Sequence, residues 1–185
     1  MQRMTTRGVE WLSAAADDPM ECRAKWTDDP RAPFALPVGR FFDVVTVEQR
    51  VGLEAFDQLL RHGLPFGPVV LDHKARRVGF FLTSRSKETF THCLAEAEGA
   101  LPPYRYLGWG SVVVVPGPMP LSGDRYQWLR APTRRPVANP LRPVALATML
   151  VGAAELLARV DRYSERYPSP AALALHLDEG APADA

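Results

Sequence analysis

Residues 110–129 read Gly110-Ser111-Val112-Val113-Val114-Val115-Pro116-Gly117-Pro118-Met119-Pro120-Leu121-Ser122-Gly123-Asp124-Arg125-Tyr126-Gln127-Trp128-Leu129. The β-branched run 111–115 is the strongest strand signal in the chain. The proline- and glycine-rich stretch 116–124 must be a loop, because proline supplies no ladder N–H and sits poorly inside a sheet. In 125–129, Tyr126 and Trp128 alternate with Arg125 and Gln127, the period of a strand with one buried face.

Further strands and helices surround this unit. Residues 41–47, Phe-Phe-Asp-Val-Val-Thr-Val, form a buried strand. Leu53, Phe56, Leu59 and Leu60 then recur at helical spacing, and Gly63 stops the helix. Strands at 69–72 and 78–82 flank the polar tip His73-Lys74-Ala75-Arg76-Arg77, which predicts a hairpin. Ser84 or Ser86 starts a helix carrying Phe90, Cys93, Leu94 and Ala97, and 104–107 is a short strand. Upstream, Val9, Trp11, Leu12 and Ala15 make an apolar helix side. Asp18-Pro19-Met20-Glu21 is a helix start, with Asp at the cap and Pro in the first turn. The stretch 30–37 is a loop or an edge segment. A long helix is expected over 144–163 and a short one over 169–177.

Helices and strands mix without a regular βαβ cadence, so the expected class is α+β, with a mixed or antiparallel sheet. The expected organisation is a core over 1–132, a Pro/Arg linker over 133–143, a C-terminal helical segment over 144–177 packed on that core, and a disordered acidic tail over 178–185. The 185 residues suit one such unit.

Composition narrows the function. The 22 basic residues nearly cancel 21 acids, for a net charge of +1, which excludes a protein held to DNA by bulk charge. Only Lys25, Lys74 and Lys87 are lysines, so nineteen of the basic residues are arginines. Arginine and alanine richness of this kind reflects high-GC coding and points to a bacterial, actinomycete-like source. Cys22 and Cys93 form no paired motif and read as free thiols of a reducing cytoplasm. The N-terminus lacks a signal-peptide apolar run, and 144–154 is too short to span a bilayer, so a cytoplasmic protein without membrane contact is expected.

Neither a P-loop nor a nucleophile elbow is present, and His62, His73, His92 and His176 are dispersed. Two-metal chemistry needs converging carboxylates, usually as two acids at alternate positions of one strand. Asp43, Glu48 and Asp72 are isolated, so no catalytic residue, metal ligand or cofactor is assigned. If the chain were an active metal-dependent enzyme using Mg or Mn, those three acids would have to supply the site. The basic residues instead gather locally: Arg76 and Arg77 at the hairpin tip, and Arg125, Arg130, Arg134 and Arg135 beyond residue 124. With Trp109, Tyr126 and Trp128 close in sequence, these form a candidate nucleic-acid surface that combines phosphate contact with base stacking.

The segment 110–129 resembles the N-terminal domain of bifunctional DNA primase/polymerases, of the archaeo-eukaryotic primase superfamily. That family carries a strand ending in a Pro-Pro-Ser-x-His-Pro loop, followed by Gly, Tyr and Trp on the next strand. Leu36-Pro37-Val38-Gly39-Arg40, the strand 42–47, Gly52 and the helix 53–60 resemble the family's approach to its first catalytic strand and the helix after it. Val78-Gly79-Phe80-Phe81-Leu82 resembles its Gly-x-His-Leu-Tyr-Phe strand, and the resemblance extends over residues 8 to about 132. It implies a metal-binding Asp-x-Asp near Val47 and Gln49, or one position away beside Glu48. It also implies a nucleotide-contacting histidine near Phe80 and a later acid near Tyr104 or Tyr106. Pro118 and Pro120 stand where the loop serine and histidine would be. The expectation is therefore a catalytically degenerate, stand-alone member with a binding or regulatory role toward DNA, RNA or a protein partner, a homodimer included. An active primase/polymerase and an assembly subunit without nucleic-acid contact are the alternatives.

Overall fold

A computed structural model describes residues 2–99 and 101–167. The helix expected over 169–177, the acidic tail and His176 lie outside the described residues. The elements run α1 (Thr6–Ser13), α2 (Pro19–Asp28), β1 (Phe34–Pro37), β2 (Phe42–Glu48), α3 (Gln49–Arg61), β3 (Val69–Asp72), β4 (Arg77–Thr83), α4 (Lys87–Ala95), β5 (Tyr104–Leu107), β6 (Val112–Val115), β7 (Tyr126–Arg130) and α5 (Leu141–Arg166). The class is α+β.

Five strands form an antiparallel sheet in the order β5-β2-β4-β3-β7, and β1 pairs with β6 in a separate two-stranded ribbon. The alternation of side chains along β2 and β4 decides the layering. Val45, Val47, Val78, Phe80 and Leu82 point to one face and pack under α3, α4 and α5. Phe42, Val44 and Phe81 point to the other face, where α1, α2 and the ribbon cover them. The central strands are thus buried on both sides, which explains their near-continuous apolar run.

Local chemistry sets the element ends. The Asp18 carboxylate accepts from Met20 N at 2.8 Å and Glu21 N at 3.0 Å, capping α2 as its sequence predicts. Ser86 stands at the start of α4, but its hydroxyl donates to Thr83 O at 2.7 Å and caps nothing. Helix α5 starts three residues earlier than expected, at Leu141, because Pro143 falls within the first turn, where its missing N–H has no partner to lose. The quadruple-valine strand β6 is not central: Val113 and Val115 face the core while Val112 and Val114 stay exposed.

Helix α5 is 26 residues long and apolar enough, by length and composition, to cross a membrane. Its first half packs through Leu146, Ala147, Leu150 and Ala153 onto the helical-face core. Arg50 ties its distal half to α3 through two hydrogen bonds to Asp161, at 2.9 and 2.7 Å. Both side chains are half exposed, so the pair contributes little to stability.

Close approach of α3 to the sheet depends on Gly52. A Cβ there would meet Val78 Cβ at 2.5 Å and Val47 Cγ2 at 3.0 Å. Gly52→Ala therefore overpacks the junction and should destabilise the fold by about 1–3 kcal/mol, read as a lower midpoint in chemical denaturation. An unchanged midpoint would mean that α3 can ride up from the sheet.

Candidate nucleic-acid interface

The second face of the five-stranded sheet is covered at only one end. Along β2, Phe42 and Val44 are sealed in the core, and the next residue on that face, Thr46, is half-buried in an open groove. The groove, a cavity of about 250 Å³, is floored by Thr46, Gly79 and Arg77 and flanked by Asp72, Tyr126 and Arg105. The exposed outer valines of β6, Val112 and Val114, form its apolar wall. At Gly79 a Cβ would lie 2.9 Å from Val70 Cγ1, so a larger residue would fill the floor.

The groove is basic. Arg77 donates through Nη2 to Thr46 O at 3.2 Å, and its buried Nε has no acceptor among the described residues. Arg105 sits directly across from Thr46 in the β2–β5 register and is exposed. The Asp72 carboxylate is held by Arg125, with Nε donating at 3.0 Å and Nη2 at 2.9 Å, and it also accepts from Ala75 N. Burial opposes ionisation of Asp72, but the Arg125 and backbone hydrogen bonds outweigh it and hold the carboxyl below its ordinary range.

The three acids that an active enzyme would need do not converge. Asp43 and Glu48 lie at opposite ends of β2, roughly 17 Å apart along the strand. Asp43 is buried on the helical face, where it accepts from Tyr106 Oη at 2.6 Å and Ser86 N at 3.3 Å. Glu48 caps α3 by accepting from Arg50 N at 2.7 Å and Val51 N at 3.3 Å. Arg77 stands between Glu48 and Asp72 in the strand register. No group of three or more His, Cys, Asp or Glu that could hold a metal ion occurs among the described residues. Among the described residues the groove's one lining carboxylate is already paired and its other charged residues are arginines, a set that does not fit a divalent cation.

The nine candidate contact residues divide. Arg77 and Tyr126 line the groove. Arg76, with φ of 51°, and Arg125, stacked on Tyr126 at 4.7 Å, stand beside it. Trp109 is 83% exposed on the turn after β5, next to Arg40 in a different cavity. Arg130 and Arg134 line a cavity at the far end of β7, and Arg135 lines the adjoining one. Trp128 is a correction: it is 2% exposed within the core, with Nε1 donating to Gly117 O at 3.2 Å, so it cannot stack on a base.

Phe80, Tyr104 and Tyr106 face the helical layer, and their neighbours Gly79 and Arg105 face the groove. Arg105 is the groove residue that sequence reasoning missed. Its signal was the alternation in Tyr104-Arg105-Tyr106, which sends the arginine away from both tyrosines.

The model of one protein family, described as "Bifunctional DNA primase/polymerase, N-terminal" (Prim-Pol), matches residues 3–145. No curated protein and no solved structure matches the chain.

Burial pushes the Asp43 carboxyl above its ordinary value, against hydrogen bonds from Tyr106, Ser86 N and Arg85 N. The unfolded chain ionises Asp43 first, near pH 4, so this group's contribution to stability falls as pH rises from there to the raised folded value. Asp43→Asn lacks that titration. The Tm of the variant minus that of the wild type should therefore become more positive from pH 4 to pH 7. A difference that is constant or shrinks over this range would show that the hydrogen bonds to the carboxylate outweigh its burial.

Proposed function

The chain belongs to the Prim-Pol family, the N-terminal domain of bifunctional DNA primase/polymerases, and from that premise we propose that this primase/polymerase-like domain binds nucleic acid and does not transfer nucleotides. The observation that carries the reading is the content of the groove. Arg77 and Arg105 occupy the open sheet face, and Asp72 beside them is neutralised by Arg125. Such a surface attracts a phosphate backbone and repels a divalent cation. Tyr126 on one side and the exposed Val112 and Val114 on the other supply apolar and aromatic contact for unstacked bases. The role is then to hold or regulate a nucleic-acid strand.

A second reading, self-association, is favoured by the distal part of α5. Leu156, Val160, Tyr163 and Tyr167 are all exposed at four-, three- and four-residue spacing, a coiled-coil-like stripe. Light scattering after gel filtration decides it: a dimer that dissociates in Leu156→Glu/Val160→Glu supports the reading, and a monomer at all concentrations removes it.

The main reading is tested by anisotropy of a labelled single-stranded oligonucleotide, alongside a primed-template extension assay with Mg²⁺ and Mn²⁺. Binding should weaken with salt. Arg76→Ala/Arg105→Ala should lower affinity and reduce the salt slope by roughly 1.4, about 0.7 for each phosphate no longer neutralised. The extension assay should yield no labelled product with protein in excess. Metal-dependent incorporation would overturn the non-catalytic half of the proposal, and binding indifferent to both substitutions would overturn the groove.

A further inference from the structure

Strand β7 ends at Arg130, and the chain then passes through Ala131-Pro132-Thr133-Arg134-Arg135-Pro136 before entering α5. This connection closes over the segment before β3 and leaves a cavity of about 240 Å³ lined by Arg130, Arg134 and Arg142, with Phe66 and Gly67 behind. Among the described residues, no Asp or Glu lines it. None of the three arginines takes part in a salt bridge among the described residues. The buried Nε of Arg142 has no hydrogen-bond acceptor among the described residues. The Arg130 guanidinium lies on the Phe66 ring at 4.1 Å, although Arg130 as a whole keeps contact with solvent.

Guanidinium groups packed together without a counter-charge are unfavourable, since each loses hydration and repels the other. Burial lowers the proton affinity of both Arg130 and Arg142, and the Arg130 charge lowers that of Arg142 further; both remain cationic. The cavity walls are nonetheless braced. Ala131 N donates to Gln2 Oε1 at 2.9 Å, and the Thr5 hydroxyl donates to Thr133 O. Gly8 lets α1 approach closely: a Cβ there would lie 2.0 Å from Pro132 O. Pro132 and Pro136 fix φ on either side of Arg134 and Arg135. The braced connection thus carries Arg130 and the exposed Arg134 to the same concavity as Arg142, and among the described residues no carboxylate neutralises them.

We propose that this cavity is a binding site for a phosphate-type anion, received by Arg130, Arg134 and Arg142. Guanidinium forks match phosphate oxygens in bidentate geometry. The volume is below the roughly 300 Å³ at which pockets for whole small molecules begin, so it suits a phosphate group and not an entire nucleotide. The site lies at the opposite end of β7 from the groove and stands whether or not the groove binds a strand.

The test is calorimetric titration of the full chain with inorganic phosphate, with thermal unfolding in phosphate and in chloride at matched ionic strength. Phosphate should bind and raise Tm. Arg142→Gln and Arg130→Gln should each weaken phosphate binding about tenfold or more, the loss of one charge-assisted hydrogen bond. Their Tm in chloride should be unchanged or higher, because an unneutralised charge has been removed. A purely structural role would instead lower Tm equally in both salts and leave phosphate affinity intact, which would overturn the proposal, as would absence of phosphate binding by the wild type. Arg76→Ala/Arg105→Ala, at the groove, should leave the Arg142-dependent phosphate binding unchanged, so failure of the groove and failure of this site read out separately. Displacement of phosphate by a single-stranded oligonucleotide identifies a backbone phosphate as the ligand. Retained phosphate binding without displacement identifies a free phosphate or phosphate ester.

Discussion

The antiparallel pairing of β2 with β4, buried on both faces, is the constraint on which the rest of the fold depends. Every residue from Phe42 to Val45 is sealed from solvent, and so is every residue from Val78 to Leu82. A sheet loaded in this way needs a layer on each side, and the chain supplies two of different make. Three helices, α3, α4 and α5, cover one face, while two short helices and the β1–β6 ribbon cover the other. The ribbon is short and α1 is short, so the second cover stops before the sheet does. The groove is the part of the sheet left over.

The same burial governs which polar residues can act. On the helical face a carboxylate must find partners inside the protein, and Asp43 does so with Tyr106 and the start of α4. On the open face the polar positions are confined to the hairpin end, where Thr46, Arg77 and Asp72 stand in neighbouring strands. Their charges decide what that end can hold. One paired carboxylate among arginines attracts anions. On the proposed reading, the groove keeps the family fold's place for a strand without the acids that would process it.

Much of this architecture was legible in the sequence because its local signals agree with one another. The Asp18-Pro19 start of α2, the alternation of Tyr126 and Trp128, and the hairpin around Lys74 all keep their expected roles, since each rests on near-neighbour chemistry. The family was legible in 110–129 for the same reason. What was not legible depends on contacts distant in sequence. The strand period assigned Trp128 to one face but could not say that the Pro116–Pro120 loop would fold over it. Four valines in a row announced β6 without revealing that two would face outward. Arg105 becomes visible only when β5 pairs with β2 and sets it across from Thr46.

On the proposed reading, a groove lined by Arg77, Arg105 and an Asp72 already paired with Arg125 should not retain a divalent cation. Electron paramagnetic resonance of Mn²⁺ titrated into the protein reads this out without reference to activity, because bound Mn²⁺ loses the sharp signal of the free ion. The free-ion signal should persist undiminished when protein is in excess. A stoichiometric loss of that signal, restored by substitution of Asp72 or Glu48, would contradict the proposed reading of the groove.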